Sequence, residues 1–223
     1  MEILNFMTGG FGVNTLIVPL EDNKVVVVDP GGDIPTISQL MASRELEPVA
    51  IVCTHGHFDH IIGMQDLLDA CGSLPVAIHP GDSCYLGPDA NTCREAHGFD
   101  LGMLGLPQLT EAMAHMPSPT CLLEEGDTLV KIPGIPCPEA AGQWRVLHTP
   151  GHSQGSICLY HQQEGHLICG DTLFYGGYGR ADLFNSNQAK LIASLRRLMQ
   201  ELPKETLIYP GHGEVRVPLG ESL

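Results

Sequence analysis

Basic side chains are scarce in this chain: Lys and Arg together number 11 against 26 Asp and Glu, a formal net charge of -15. Nucleic acids and anionic membrane surfaces are met by clustered Lys/Arg faces, and no run of basic residues stands out here. That scarcity counts against a nuclease. Long apolar runs are missing too: no stretch approaches the roughly 20 apolar residues of a membrane span. The opening residues, Met1-Glu2-Ile3-Leu4-Asn5-Phe6, lack the basic-then-apolar order of a secretion signal. A cytoplasmic protein with neither a membrane nor a nucleic-acid partner is expected. No C-x-x-C spacing links Cys84, Cys93, Cys121 and Cys137, so a separate zinc knuckle is not expected. The eight cysteines are spread through 24.0 kDa rather than packed into a small scaffold. Cys53, Cys158 and Cys169 sit in apolar, strand-like runs, where a reduced thiol behaves as a small hydrophobe. Reduced cysteines are the expectation.

What the chain does have is material for one large domain: 223 residues, 43% of them hydrophobic, enough to bury a sizeable core. Residues 14–19 and 24–29 are β-branched runs joined by the turn-rich Glu21-Asp22-Asn23, which predicts a hairpin. After Pro30-Gly31-Gly32, Asp33 is placed to cap a helix with Pro35 in its first turn, running to about Glu45. Strands are predicted over 50–53 and 76–79, with a helix over 61–70 between them. The segment from about 84 to 138 is rich in Gly, Pro and Met and weakly periodic, and reads as an elaborated insertion with a strand-like piece over 128–132. In it, Met103, Met113 and Met116 are expected to bury apolar surface. Strands return over 144–148, 156–160, 166–169 and 206–209. Between the last two, 188–202 is amphipathic, with Leu191, Leu195, Leu198 and Leu202 on one face. Outer helices with polar loops at strand ends imply a layered α/β sandwich.

Those loops carry the chemistry. Thr54-His55-Gly56-His57-Phe58-Asp59-His60 follows the apolar 50–53 run directly and packs three imidazoles and a carboxylate into six residues. A tight loop at a strand end can aim several nitrogen ligands at one point, as a transition-metal site requires. Thr149-Pro150-Gly151-His152, Gly170-Asp171-Thr172 and Pro210-Gly211-His212-Gly213 repeat the arrangement: an apolar run, a Gly or Pro turn, one potential ligand. His79, His97, His115, His148, His161 and His166 fall outside this pattern and are treated as ordinary surface or supporting residues.

The set His55, His57, Asp59, His60, His152, Asp171 and His212, in that order, resembles the metallo-β-lactamase fold superfamily. The resemblance implies an αββα four-layer sandwich with a binuclear site at its open edge. One ion would be held by His55, His57 and His152 and the other by Asp59, His60 and His212, with Asp171 bridging. Asp59 and Asp171 are then the expected catalytic carboxylates. Two divalent ions are expected, Zn2+ first, with iron or manganese as alternatives. Two adjacent cations need an anionic bridge, and water held between them loses a proton far below its bulk pKa, supplying a hydroxide nucleophile.

Residues 170–183, which run Gly-Asp-Thr-Leu-Phe-Tyr-Gly-Gly-Tyr-Gly-Arg-Ala-Asp-Leu, look like the glyoxalase II (hydroxyacylglutathione hydrolase) branch, in its short bacterial form. Longer members place a glutathione-contacting lysine nine residues past the bridging aspartate, and Arg180 stands at that distance from Asp171 here. The implied activity is hydrolysis of a small anionic thioester, with Arg180, Tyr175 and Tyr178 as candidate substrate residues; Arg180 and Asp182 could equally pair with each other. The rival reading is a mononuclear iron persulfide dioxygenase using His55, His152 and Asp171. A lactonase or phosphodiesterase acting on small substrates is a further alternative, and a redox scaffold would need an appended flavin or iron domain. The true β-lactamase branch commonly has cysteine where Asp171 stands.

Overall fold

The computed structural model describes residues 2–98, 101–102 and 105–223. The expectation for Met103 therefore lies outside the described residues. The chain runs β1 (Leu4–Thr8), β2 (Val13–Pro19), β3 (Lys24–Val28), α1 (Ile34–Ser43), β4 (Glu47–Val52), α2 (Phe58–Ile61), α3 (Met64–Cys71) and β5 (Val76–Ile78). It continues through α4 (Ala90–Ala96), α5 (Thr110–Ala114), β6 (Cys121–Leu122), α6 (Pro138–Gly142), β7 (Trp144–His148), β8 (Ile157–His161) and β9 (His166–Gly170). It ends with β10 (Leu173–Phe174), β11 (Gly177–Tyr178), α7 (Gln188–Glu201), β12 (Leu207–Pro210) and β13 (Val217–Pro218).

Strands β1 to β6 form one sheet in sequence order, antiparallel as far as β3 and parallel beyond it. The second sheet has the order β13-β12-β9-β8-β7, in which only β9 and β12 are parallel. Period-two alternation sends Leu16, Val18, Val26 and Val28 toward Trp144, Val146, Ile157 and Leu159, building a core between the sheets. The opposite faces are covered by helices: Ile34, Ile37, Met64 and Leu67 of α1 and α3 pack on Ile17, Val25 and Ile51. Leu191, Leu195 and Leu198 of α7 pack on Cys158, Leu167 and Ile208. Three cores between four layers make the αββα sandwich. Among the described residues no helix is long and apolar enough to cross a membrane.

Several local expectations change. Asp33 does not cap α1. It takes a left-handed conformation (φ 52°) without a capping hydrogen bond, and its Oδ2 accepts from the Gly9 amide at 2.8 Å. The helix expected over 61–70 is broken into α2 and α3, because the Gly63 amide turns to the Pro30 carbonyl at 2.8 Å. Residues 129–131 form a 3-10 turn rather than a strand, the amides of Lys131 and Ile132 bonding back to Thr128 and Leu129, and of the expected strand only Thr128 keeps a β-type contact, an isolated antiparallel bridge to Arg145. The segment expected as an insertion supplies more than loop. Its β6 closes the first sheet, and Leu123, Leu129, Ile132 and Ala141 join the core between the sheets. Met113 and Met116 are buried, in accord with expectation. The cysteine reading holds for Cys53, Cys158 and Cys169, which are free and buried, their thiols pushed up by burial. It fails for Cys84 and Cys93, which form a disulfide.

Candidate metal centre

The ligand loops all leave the same end of the sheets. His55, His57, Asp59 and His60 follow β4, His152 follows β7, Asp171 follows β9 and His212 follows β12. Packing fixes each loop. The Asn187 side chain caps α7 by accepting from the Lys190 amide at 2.9 Å, a contact worth about 1 kcal/mol. The Asn187 backbone amide donates to the Gly151 carbonyl at 2.7 Å, and Ser194 Oγ donates to the Pro150 carbonyl at 2.9 Å. Gly151 (φ +144°) sits where a Cβ would fall 2.2 Å from the Leu191 amide nitrogen, so only glycine brings the His152 loop this close to α7. A Cβ at Gly211 would fall 2.2 Å from Asp171 Oδ1, so glycine is what lets the His212 loop approach the centre. Asn14 of β2 holds that loop by donating from Nδ2 to the carbonyls of Pro210 (2.9 Å) and Gly213 (3.0 Å).

The donor atoms of His55, His57 and His152 lie within 4.8 Å of one another, as do those of Asp59, His60 and His212. Asp171 lies between the trios. Its Oδ1 is 3.4 Å from His60 Nε2, and its Oδ2 is 3.5 Å from His152 Nε2 and 3.6 Å from His212 Nε2. All seven sequence-selected residues are thus brought together.

The supporting contacts are what the sequence reading could not locate. Asp29, at the end of β3, accepts from the Thr54 amide (2.7 Å), Thr54 Oγ1 (2.6 Å) and His60 Nδ1 (2.9 Å). With its hydroxyl proton committed to Asp29, Thr54 Oγ1 accepts from His55 Nδ1 at 3.1 Å. His152 Nδ1 donates to the Arg180 carbonyl at 2.9 Å. In each case Nδ1 is spent on the scaffold and Nε2 is left for the centre. Asp82 is fully buried and ties two loops together, accepting from the Gly56 amide (2.9 Å), Ser153 Oγ (2.5 Å) and the Gly155 amide (2.8 Å). Asp29 had one available signal, a carboxylate directly after the four valines that end β3; Asp82 had none.

Do these residues suit divalent ions? The Nε2 atoms of His55 and His152 are buried and make no hydrogen bond, an arrangement that is costly unless another partner takes the lone pairs. Protonation is opposed at this trio. Burial, with help from neighbouring imidazoles, pushes His57 down to about 3 and lowers His55 and His152 as well. Neutral imidazole is the form that ligates a metal. Asp171 is held well below the usual carboxylate range: burial opposes its charge, but His60, His152 and His212 outweigh burial. Burial likewise opposes charge on His60 and His212, yet the carboxylates of Asp171 and Asp59 carry both imidazoles above their ordinary value. An ionised bridge between buried nitrogen donors fits a pair of divalent cations.

The centre opens into a cleft of about 990 Å3 whose walls include Phe11, Phe58, Phe174 and Phe184. Arg180 lines this cleft, but its guanidinium grips Asp182 through two contacts, Nε–Oδ1 at 2.7 Å and Nη2–Oδ2 at 2.9 Å. Of the two arrangements the sequence left open, the pair with Asp182 is the one observed. Tyr175 and Tyr178 are not among the residues lining the cleft; Phe174 is, while Tyr178 lines a separate surface pocket shared with Ile192, Leu195 and Leu223. His97, treated as ordinary in sequence, lines the cleft.

Comparison with known proteins places these features. A probable metallo-hydrolase of Bacillus subtilis, YqgX, is 34% identical over 194 residues, covering 87% of this chain and 82% of that one. A hydroxyacylglutathione hydrolase of Nitrosomonas eutropha is 31% identical over 207 residues, 93% of this chain but 64% of that protein. Among solved structures, the BLEG-1 B3 metallo-beta-lactamase superposes with a TM-score of 0.79 at 28% identity, covering 99% of this chain and 95% of that one. TTHA1623, in a di-iron-bound form, superposes with a TM-score of 0.74 at 32% identity, covering 97% and 95%. The family model described as the metallo-beta-lactamase superfamily matches residues 7–212, a span that holds every ligand candidate, and the chain belongs to that superfamily.

Proposed function

We propose that this metallo-hydrolase cleaves small thioesters at a binuclear centre. The observation that supports a binuclear centre is the pair of complete donor trios flanking one ionised carboxylate. His55, His57 and His152 would hold one ion, Asp59, His60 and His212 the other, and Asp171 would touch both. Bound there, divalent ions lower the pKa of water toward neutrality and polarise a carbonyl. The chain's own residues do the rest. Asp29, Thr54 and the Arg180 carbonyl hold the imidazoles in the tautomer that points Nε2 inward. Asp171 remains an anion that offsets two adjacent positive charges. Phe11, Phe58 and Phe174 give the substrate an apolar seat.

The hydroxyacylglutathione hydrolase relative supports a thioester as the scissile group. Because Asp182 engages Arg180, the guanidinium is no ready anchor for a substrate carboxylate, and the proposed substrate has an apolar portion that lies on the phenylalanines. Zinc is the proposed ion, with iron as the alternative suggested by the di-iron relative. The test is a panel of thioesters, lactones and persulfides on protein of defined metal content. Two ions per chain with thioester hydrolysis is the expected result. One iron per chain, with oxygen consumed on a persulfide, overturns the reading.

A further inference from the structure

Beside the cleft lies a second group of metal-type donors that the catalytic reading does not use. Cys84 lies near the end of the 3-10 turn over Pro80–Tyr85, Cys93 lies in α4, and His97 caps the end of that helix. Cys93 and His97 are four residues apart, so they share one helix face, and Sγ of Cys93 is 3.6 Å from His97 Nδ1. The Cα atoms of Cys84 and Cys93 are 5.9 Å apart, within the ordinary span of a disulfide. The donor atoms of all three residues fall within 4.8 Å of one another. Cys84 is exposed and the other two are half-buried, so both an ion and a reductant can reach them.

The surroundings hold this group in place. Arg94, buried in α4, donates to the carbonyls of Tyr85 (3.4 Å) and Met113 (2.7 Å), fixing the helix to the turn that carries Cys84. The Tyr85 hydroxyl lies 2.8 Å from His97 Nδ1, a contact that an ion binding this nitrogen would replace, and the His97 ring stacks on Phe184 with centroids 5.4 Å apart. His97 and Phe184 both line the cleft.

We propose that Cys84, Cys93 and His97 form a redox-gated site for a soft divalent ion on the wall of the cleft, separate from the catalytic pair. The disulfide is its closed form. Two molecules of a low-molecular-weight thiol reduce it: the S–S bond breaks, each cysteine gains an electron and a proton, and one external disulfide leaves. A divalent ion then displaces two thiol protons and binds two thiolates and one imidazole, with water completing a tetrahedral set. Soft sulfur donors select zinc- or cadmium-like ions, whereas the catalytic donors are all nitrogen and oxygen.

That difference supplies the test. The holoenzyme, its catalytic centre already loaded, is titrated with Cd2+ before and after reduction by a phosphine that is then removed. Reduction should create one additional Cd2+ site per chain carrying a cadmium–thiolate charge-transfer absorption, which the nitrogen and oxygen donors of the catalytic centre cannot produce. Cys84→Ser together with Cys93→Ser should abolish that band, and His97→Ala should weaken the binding while keeping the band. A reduced protein without the band overturns the proposal. So does a band that survives in the double serine variant, because Cys53, Cys71, Cys121, Cys137, Cys158 and Cys169 would then be its source. Far-ultraviolet dichroism of the exposed-site variant Cys84→Ser alone separates lost binding from lost folding.

Discussion

Replacing Asp29 with Asn should weaken the ion site that contains His60 more than the one that contains His55, because Asp29 touches His60 directly and reaches His55 only through Thr54, although Asp29 itself belongs to neither trio. The carboxylate takes three hydrogen bonds: Oδ1 from the Thr54 amide, Oδ2 from Thr54 Oγ1 and His60 Nδ1. Asparagine offers one oxygen and one NH2 group. If its oxygen faces the Thr54 amide, the NH2 group donates to His60 Nδ1, which moves the imidazole proton to Nε2. That nitrogen lies 3.4 Å from Asp171 Oδ1 and 3.3 Å from His212 Nε2, and once protonated it no longer ligates. If the oxygen faces His60 instead, two N–H donors oppose each other at Thr54. Loss of such a supporting contact costs roughly 10- to 100-fold in metal affinity, or about 1.4–2.7 kcal/mol. Fold stability should also drop by about 1.5–3 kcal/mol, the scale of one hydrogen bond to a buried charged group. Competition against a chromophoric chelator, resolving the two binding steps, measures the first quantity, and urea unfolding of the metal-free protein measures the second. Equal weakening of both steps, or of neither, would refute the tautomer argument.

The remaining expectations concern the centre and its mouth. Asp171→Ala should lose at least one ion and reduce hydrolysis by orders of magnitude; elemental analysis finding two ions retained at near-normal turnover would defeat the bridging role. His212→Ala should empty the Asp59/His60/His212 trio while leaving the other filled, so one ion per chain is the expected count. On acidification the two trios should part. In the metal-free protein His60 and His212 bind protons above the ordinary histidine pKa, so an ion must displace protons there already near neutrality. His57 stays neutral down to about 3, and His55 and His152 are also depressed. The Asp59/His60/His212 ion should therefore leave first as pH falls, and a pH series of metal content showing the opposite order would contradict the electrostatics. Arg180→Ala should shift KM for carboxylated and neutral thioesters alike, because its charge is already spent on Asp182. A rise confined to the carboxylated substrates would restore the unpaired-cation expectation.

Which parts of this molecule could be read from the chain follows from the range of the physics involved. The ligands were legible because each sits on a turn directly after an apolar run, so local sequence alone places it at a strand end. Helix α7 was legible for the same reason: Leu191, Leu195 and Leu198 recur at helical spacing beneath an Asn187 cap. Features decided by partners distant in sequence were not. Asp33 has the composition of a helix cap, yet the Gly9 amide 24 positions away claims its carboxylate. Residues 128–132 are β-branched enough to suggest a strand, but their amides find closer acceptors within the turn. Asp82 reaches Gly56, Ser153 and Gly155, three contacts that exist only once the two sheets have packed. The Arg180–Asp182 pair shows the converse. A separation of two residues made the contact easy to list, but only the structure shows the pair formed, with both guanidinium contacts under 3 Å. The same distinction bears on substrate. Metal binding is written into short loops, whereas the cleft is assembled from Phe11 near the amino terminus, Phe58 in α2, and Phe174 and Phe184 beyond the bridging aspartate. Its specificity belongs to the folded chain, and substitutions at Phe11 and Phe184, which flank no ligand, should alter KM among thioesters while leaving ion content unchanged.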